Sequence, residues 1–410
     1  MRKAVLLLII SIPILFGCSQ SKKTGNTKNG DEKTAYTAGE YGYDLALLKK
    51  YITPVELVNG KSRLIVAPEY QGRVMTSSSS GMKGFSHGWI NYDFIASSKI
   101  NEDANPYGGE ERIWLAPEGG QFSVFFTGNN PGKWIVPAAV DHETFNIAQV
   151  NSQQISLEKD IELVNRSGTK FNAKILRTIT LLDSTEIRAN LKIGVGKSIR
   201  VVAYESENRL KNTGNNCWNK NNGALSIWML GMLKASSDVV VIIPYKQGGQ
   251  EKLVNDYYGT IPGNRLKVTD HAVFFRADAE FRSKIGVSPS SALPCMGSYD
   301  AQKQILSILT YSLPENQTEY VNSALVDQQK DPFSGDVINS YNDGPSKNSS
   351  RIGQLYEMEI SSPAAFLKPG EEITHVQYMY HFEGKENDLD ILVRSLLNVS
   401  ISEIKNVFGN

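Results

Sequence analysis

The chain has 410 residues, 40% hydrophobic and 21% charged, and Lys+Arg and Asp+Glu both count 43, so the formal net charge is zero. This composition excludes wholesale disorder. Without a long Lys/Arg block there is no electrostatic footprint for nucleic acid, which is not an expected partner.

In chain order, Arg2 and Lys3 precede an apolar run over 4–16. As a helix it would span about 20 Å, short of a bilayer core of about 30 Å. It reads as the core of a signal peptide covering 1–17. The run ends in Leu15-Phe16-Gly17-Cys18, which resembles the bacterial lipoprotein lipobox. The resemblance implies cleavage before Cys18, lipidation of that residue and anchoring to a membrane of the cell envelope through lipid. Ser19-Gln20 follows, with no Asp, and by analogy favours the outer membrane, on its periplasmic or surface face. The plainer alternative is a secretory signal with a chance cysteine. Residues 18–40 are polar and read as a flexible tether, leaving 41–410 as one folded domain.

The body opens with a short helix over 43–51. Strand-like runs follow at 55–58, 63–67, 73–77 and 121–127, punctuated by Gly60 and Gln71-Gly72. Residues 144–195 read as a β-meander, with alternation over 186–193 and turns at 165–168 and 182–184. Later strands are expected at 239–243, 272–276, 304–312 and 376–382. A single long helix is expected over 388–408, with Leu389, Leu392, Val393, Leu396 and Leu397 as its apolar stripe. The 34 glycines, many strands and few helices predict a mainly β sandwich. No nucleotide-binding loop is present, and no cofactor or metal is expected. Cys217 and Cys295 read as separate buried thiols or as a pair.

The densest polar constellation is 108–121, GGEERIWLAPEGGQ, with Glu110, Glu111, Arg112, Trp114 and Glu118 between glycine pairs. Glycine lets the backbone turn tightly. Carboxylate, guanidinium and indole together suit a sugar, whose hydroxyls bond the charged groups and whose C–H face stacks on the ring. The plainer reading is a salt-bridged loop with Trp114 in the core. Further on, Glu357 and Glu359 stand two apart, on one side of a strand, where mutual repulsion raises one pKa and suits acid/base work. Asn208 is a candidate sugar contact at the centre of a sheet, and Asn342 and Asp343 are candidates in a turn-like stretch. His142 beside Asp141 and Glu143 is a weak metal candidate, since neighbours on a strand diverge.

Leu367-Lys368-Pro369-Gly370-Glu371 and the strand 376–382 resemble the end of aldose 1-epimerases, the galactose mutarotases. Ala67-Pro68-Glu69-Tyr70-Gln71-Gly72-Arg73-Val74 resembles an early strand pair of that superfamily, and 108–120 resembles a stretch of mutarotase-like proteins. The resemblance implies a galactose mutarotase-like β-supersandwich with short peripheral helices and a C-terminal helix. It implies Glu357 as catalytic base, with Glu359 as the alternative. It also implies Arg73 among the substrate contacts with Glu110, Arg112, Trp114 and Glu118, and His87, in Ser86-His87-Gly88-Trp89, as candidate acid. The central region, Glu205-Ser206-Glu207-Asn208-Arg209, lacks the family's second histidine. The expected function is carbohydrate binding in a concave sheet, with epimerase-like chemistry if Glu357 acts as base. The alternative is a non-catalytic binding or scaffold module of an envelope complex.

Overall fold

A computed structural model describes residues 36–126, 132–248, 253–345 and 351–409. The expected signal segment 1–17, Cys18 and the tether up to residue 35 lie outside the described residues. Helix α1 (Tyr41–Leu48) is followed by β1 (Val55–Asn59), β2 (Ser62–Ala67), β3 (Arg73–Ser78), α2 (Tyr92–Ser97) and β4 (Arg112–Ala116). Next come β5 (Asn146–Val150), β6 (Gln154–Val164), β7 (Lys170–Leu181), α3 (Ser184–Leu191) and β8 (Arg200–Asn212). The chain continues through β9 (Ser226–Lys234), β10 (Val239–Pro244), β11 (Leu253–Val254), β12 (Leu266–Val268), β13 (Ala272–Arg276) and β14 (Ser283–Val287). It ends with β15 (Cys295–Asp300), β16 (Ile305–Tyr311), β17 (Ile338–Asn342), β18 (Leu355–Ser361), β19 (Glu372–Glu383), α4 (Glu386–Leu397) and α5 (Ile401–Asn406).

Among the described residues these strands form three antiparallel sheets. One is β1-β2-β3, one is the ten-stranded β12-β13-β10-β15-β16-β19-β8-β7-β6-β5, and one is the six-stranded β11-β14-β17-β18-β9-β4. The architecture is mainly β, as expected, with short peripheral helices. The largest core lies between the two big sheets. Ile113, Ile227, Met229, Met358 and Ile360 from the six-stranded sheet share it with Ile175, Ile179, Val241 and Met379 from the ten-stranded one. Strand β7 shows why: its burial alternates, sending Phe171, Ala173, Ile175, Arg177, Ile179 and Leu181 inward. Helices α3, α4 and α5 cover apolar positions of the ten-stranded sheet such as Val240, Ile242, Leu306 and Phe382. No helix among the described residues is long and apolar enough to cross a membrane. Cys217 and Cys295 are free thiols, the former exposed.

Three local expectations are corrected. Residues 184–191 form a helix, not a strand. The alternation over 186–193 also places Ile187 and Leu191 four apart on one helical face, and both are buried. A capping box decides between them: Asp183 accepts from the Thr185 and Glu186 N–H groups, while Glu186 reaches back to the Asp183 N–H. Residues 121–126 form turns rather than a strand, with Val124 and Phe125 buried. The Ser123 hydroxyl accepts from the Phe125 and Phe126 N–H groups, satisfying locally what a ladder would otherwise bond. The expected helix over 388–408 is two helices. Asn398 takes a left-handed conformation, φ 57°, and Ser400 caps the second helix.

Polar side chains are also buried inside the sandwich. Arg177 donates to Glu111, Asn208 and the Gly72 carbonyl, and Gln377 donates to the same Glu111. His381 stacks on His87 with ring centres 4.0 Å apart, and bonds Glu110 at 2.8 Å and Ser307 at 2.7 Å. Burial, with His381 beside it, pushes His87 down to about 4 despite Glu383, and burial alone pushes His375 down to about 3. These histidines are therefore neutral in the folded chain where an unfolded one, with pKa about 6.5, takes up a proton. The stability they contribute is complete above about 6.5 and is lost as pH falls toward their folded values. In urea unfolding, His375→Gln should lose less stability than wild type on acidification from pH 6.5 to 4.5. The gap should widen by up to about 1.4 kcal/mol per pH unit. Parallel pH curves for the two proteins would show that His375 carries no such linkage.

Candidate functional site

The six-stranded sheet turns one face to the core and the other to an open cleft. Strand register selects what faces the cleft. Arg112 and Trp114 of β4 stand opposite Leu230 and Trp228 of β9. Leu230 and Met232 in turn stand opposite Glu359 and Glu357 of β18. Glu359 and Glu357 pair with Asn339 and Tyr341 of β17, and Tyr341 with Lys284 of β14. Side chains in register share a face, so the rows Arg112–Leu230–Glu359–Asn339 and Met232–Glu357–Tyr341–Lys284 lie side by side. Glu118, Trp134, Tyr258, Arg282 and Asp141 add to the lining.

The charges pair diagonally across these rows. Arg112 Nη2 donates to Glu357 Oε1 at 2.9 Å, and Lys284 Nζ donates to Glu359 Oε2 at 2.8 Å. Trp228 Nε1 also donates to Glu359 Oε2, at 3.0 Å. The Arg112 guanidinium lies 4.3 Å from the centre of the Trp114 ring, and Lys284 Nζ lies 4.8 Å from that of Trp228. Trp134 Nε1 donates to Glu118 Oε1 at 3.0 Å. Trp114 meets Trp228 edge to face, with ring centres 5.6 Å apart.

Burial pushes Glu357 up to about 7, with Glu359 adding to the shift and Arg112 and Lys284 opposing it. Glu359 Oε1 has no hydrogen-bond partner among the described residues, so it is the natural acceptor when Glu357 holds a proton. Burial, reinforced by Glu359, also holds Glu118 above the usual carboxylate range. Burial works against the charge on Lys284, but Glu359, Tyr258 and Glu118 more than offset it, and the amine ends above the ordinary lysine value. Among the described residues the Trp114 indole N–H and Arg112 Nε are buried without partners, donors that a polar ligand or water could use. Among the described residues no group of three His, Cys, Asp or Glu side chains is placed to hold a metal ion.

Of the residues singled out in the sequence, Arg112, Trp114, Glu118, Glu357 and the alternative base Glu359 line this cleft. Glu110 and His87 do not; they sit in the stacked-histidine cluster, with Glu110 accepting from Ser77. His87 Nε2 is 3.4 Å from Glu383, too long for a good hydrogen bond. Arg73 is fully buried and spans the Gly108 and Asp141 carbonyls; burial and nearby Arg112 lower it to about 9. Gly109, at φ 114°, leaves the space this requires, because a Cβ there would meet Arg73 Cδ at 2.5 Å. Asn208 is an acceptor for Arg177 inside the sandwich. Asn342 bonds the Ala279 N–H and Phe281 carbonyl, and Asp343 holds the Tyr341 hydroxyl at 2.8 Å. Asp343 thus stands behind the cleft wall. Trp228, Trp134, Tyr258 and Lys284 join the site without having been picked out by sequence. The one signal for Lys284 was a lone charge in the strand SKIGV.

The fold and site define a mainly β protein with one cleft of paired carboxylates, indoles and cations. Residues 39–408 match the sequence model of a family of unknown function, DUF6786, and the chain belongs to that family. No curated protein matches the chain. Among solved structures, it is similar to a galactose mutarotase-like protein from Lactobacillus casei, with 9% identity over 80% of this chain and 100% of that one, TM-score 0.48. It is also similar to the Slr1438 protein from Synechocystis, with 11% identity, 82% and 96% coverage and TM-score 0.48. A galactose mutarotase related enzyme from Lactobacillus acidophilus shares 8% identity, with 81% and 100% coverage and TM-score 0.46.

The ion pair Lys284–Glu359 can be tested directly. Lys284→Met leaves a fully buried carboxylate without its cation and should cost about 3–5 kcal/mol in urea unfolding at pH 8. The double variant Lys284→Met/Glu359→Leu should recover most of that loss. A single-variant cost below about 1 kcal/mol would contradict the pairing.

Proposed function

We propose that the cleft binds a carbohydrate and that Glu357 is the group that exchanges a proton with it. The observation that carries this reading is the convergence of Glu357, Glu359, Arg112, Lys284 and the indoles of Trp114 and Trp228 on one sheet face. Indole faces take the C–H face of a pyranose, while carboxylates and cations bond its hydroxyls. A carboxylate with pKa about 7 is suited to take a proton from an anomeric hydroxyl and return it at neutral pH. That is the chemistry of the aldose 1-epimerases the sequence resembles. Ring opening also needs an acid at the ring oxygen. His87 lies outside the cleft, and Glu118, with its raised pKa, is the cleft group suited to hold that proton.

A second reading, sugar binding without turnover, is favoured by the same placement of His87 and by the ion pairs that already engage both strand carboxylates. In either reading the lipobox-like segment ending at Cys18 supports a protein tethered by lipid in the cell envelope, at the outer membrane.

Polarimetry on a bound monosaccharide separates the two. In the catalytic reading, turnover rises with pH through about 7 as Glu357 loses its proton. Glu357→Gln should abolish turnover while changing affinity by less than about threefold, under 1 kcal/mol. Equal loss of binding and turnover would contradict a base role, and binding without turnover in the wild type would establish the second reading. For the anchor, Cys18→Ser should abolish incorporation of labelled fatty acid and release the protein from the membrane fraction. Unchanged labelling would contradict lipidation at that residue.

A further inference from the structure

The cleft does not end at Lys284. A neighbouring depression shares Glu118, Tyr258 and Lys284 with it and continues to Tyr257, Ser323, Leu325 and Asn339. The same sheet face floors both. Asn339 is the register partner of Glu359, one strand further out. Its amide donates to the Ile285 carbonyl at 3.2 Å and to the Tyr257 hydroxyl at 3.3 Å, which fixes the floor of the second cavity. The Ser323 hydroxyl accepts from the Glu118 N–H at 3.3 Å and ties the loop carrying Leu325 to the end of β4.

The rim has a composition of its own. Tyr258, Leu325 and Ile352 are large apolar side chains left 43%, 53% and 50% exposed, and they border these two cavities. Single exposed apolar residues are ordinary, but three around one polar depression offer a low-polarity edge for a ligand to rest on. Tyr258 stands at the boundary, with the Arg282 guanidinium 4.4 Å from its ring centre. A cation on one face of the ring fixes its position and leaves an aromatic wall between the two compartments.

The geometry points to a glycan of at least two sugar residues as the ligand, one over Trp228 and Glu357 and the next over Asn339 and Leu325. The inference rests on the carbohydrate reading of the cleft and adds chain length to it. A second ring gains contact with Leu325, Tyr258 and the Asn339 floor, area that a monosaccharide leaves in water.

The test is calorimetry with matched mono-, di- and tetrasaccharides of galactose, glucose and mannose, on wild type, Leu325→Asp and Val326→Asp. Val326 is 51% exposed and lines neither cavity, so its variant controls for added charge next door. In the series that binds, the disaccharide should bind about tenfold tighter than the monosaccharide. Leu325→Asp should remove most of that gain and leave monosaccharide affinity unchanged, while Val326→Asp should retain the gain. Monosaccharide binding with no gain on lengthening, or a gain that survives Leu325→Asp, would overturn the inference and leave the carbohydrate reading standing. Failure of every saccharide to bind would overturn the carbohydrate reading and this inference with it.

Discussion

Two carboxylates on one strand face, both nearly out of water, set the terms for the rest of the site. Glu357 and Glu359 project from β18 to the same side because they are two residues apart. Desolvating two such charges is costly, and their mutual repulsion adds to it. The sheet meets this with cations from strands on either side, Arg112 from β4 and Lys284 from β14, each reaching the diagonal carboxylate. The compensation is unequal. Glu359 receives an ammonium and an indole N–H, whereas Glu357 has one guanidinium and stays close to half protonated at neutral pH. Two chemically identical side chains thereby acquire different roles.

The same register that gathers the charges also supplies the stacking surface. Trp114 and Trp228 are direct cross-strand partners, so their rings meet in the cleft. On the opposite face of those strands Ile113, Leu115, Ile227 and Met229 fill the sandwich core. The cleft is therefore built on a sheet fixed from behind, a better platform for holding side-chain geometry than a loop. A separate polar layer, Arg177 with Glu111 and His381 with Glu110, joins β7 and β19 of the ten-stranded sheet to the segment entering β4. It draws Glu110 and Glu111 inward, while Arg112 and Trp114 face out.

Much of this was legible in the sequence and some was not, for identifiable reasons. The mainly β class followed from glycine usage and from short alternating runs such as 63–67 and 73–77. The same-side placement of Glu357 and Glu359 followed from a spacing of two. The helix at 184–191 was hidden because alternation and an i, i+4 pair coexist there, and only the Asp183–Glu186 cap separates them. Trp228 and Lys284 were hidden for a different reason. Sheet order β14-β17-β18-β9-β4 places strands from distant parts of the chain side by side, and no local pattern encodes that order. His87 shows the converse: a Ser-His-Gly-Trp stretch suggestive of chemistry leads into a buried stack with His381.

The central claim is that a carbohydrate sits against the indoles of this cleft. The chain has five tryptophans, and Trp114, Trp134 and Trp228 line the site. The most direct measurement is tryptophan emission during titration with a saccharide whose binding has been established by calorimetry. A saccharide seated on the indoles should give a saturable change in emission with the calorimetric Kd, lost in Trp228→Ala. A saccharide that binds by calorimetry yet leaves the emission of the wild-type protein unmoved would place its site elsewhere and contradict the account.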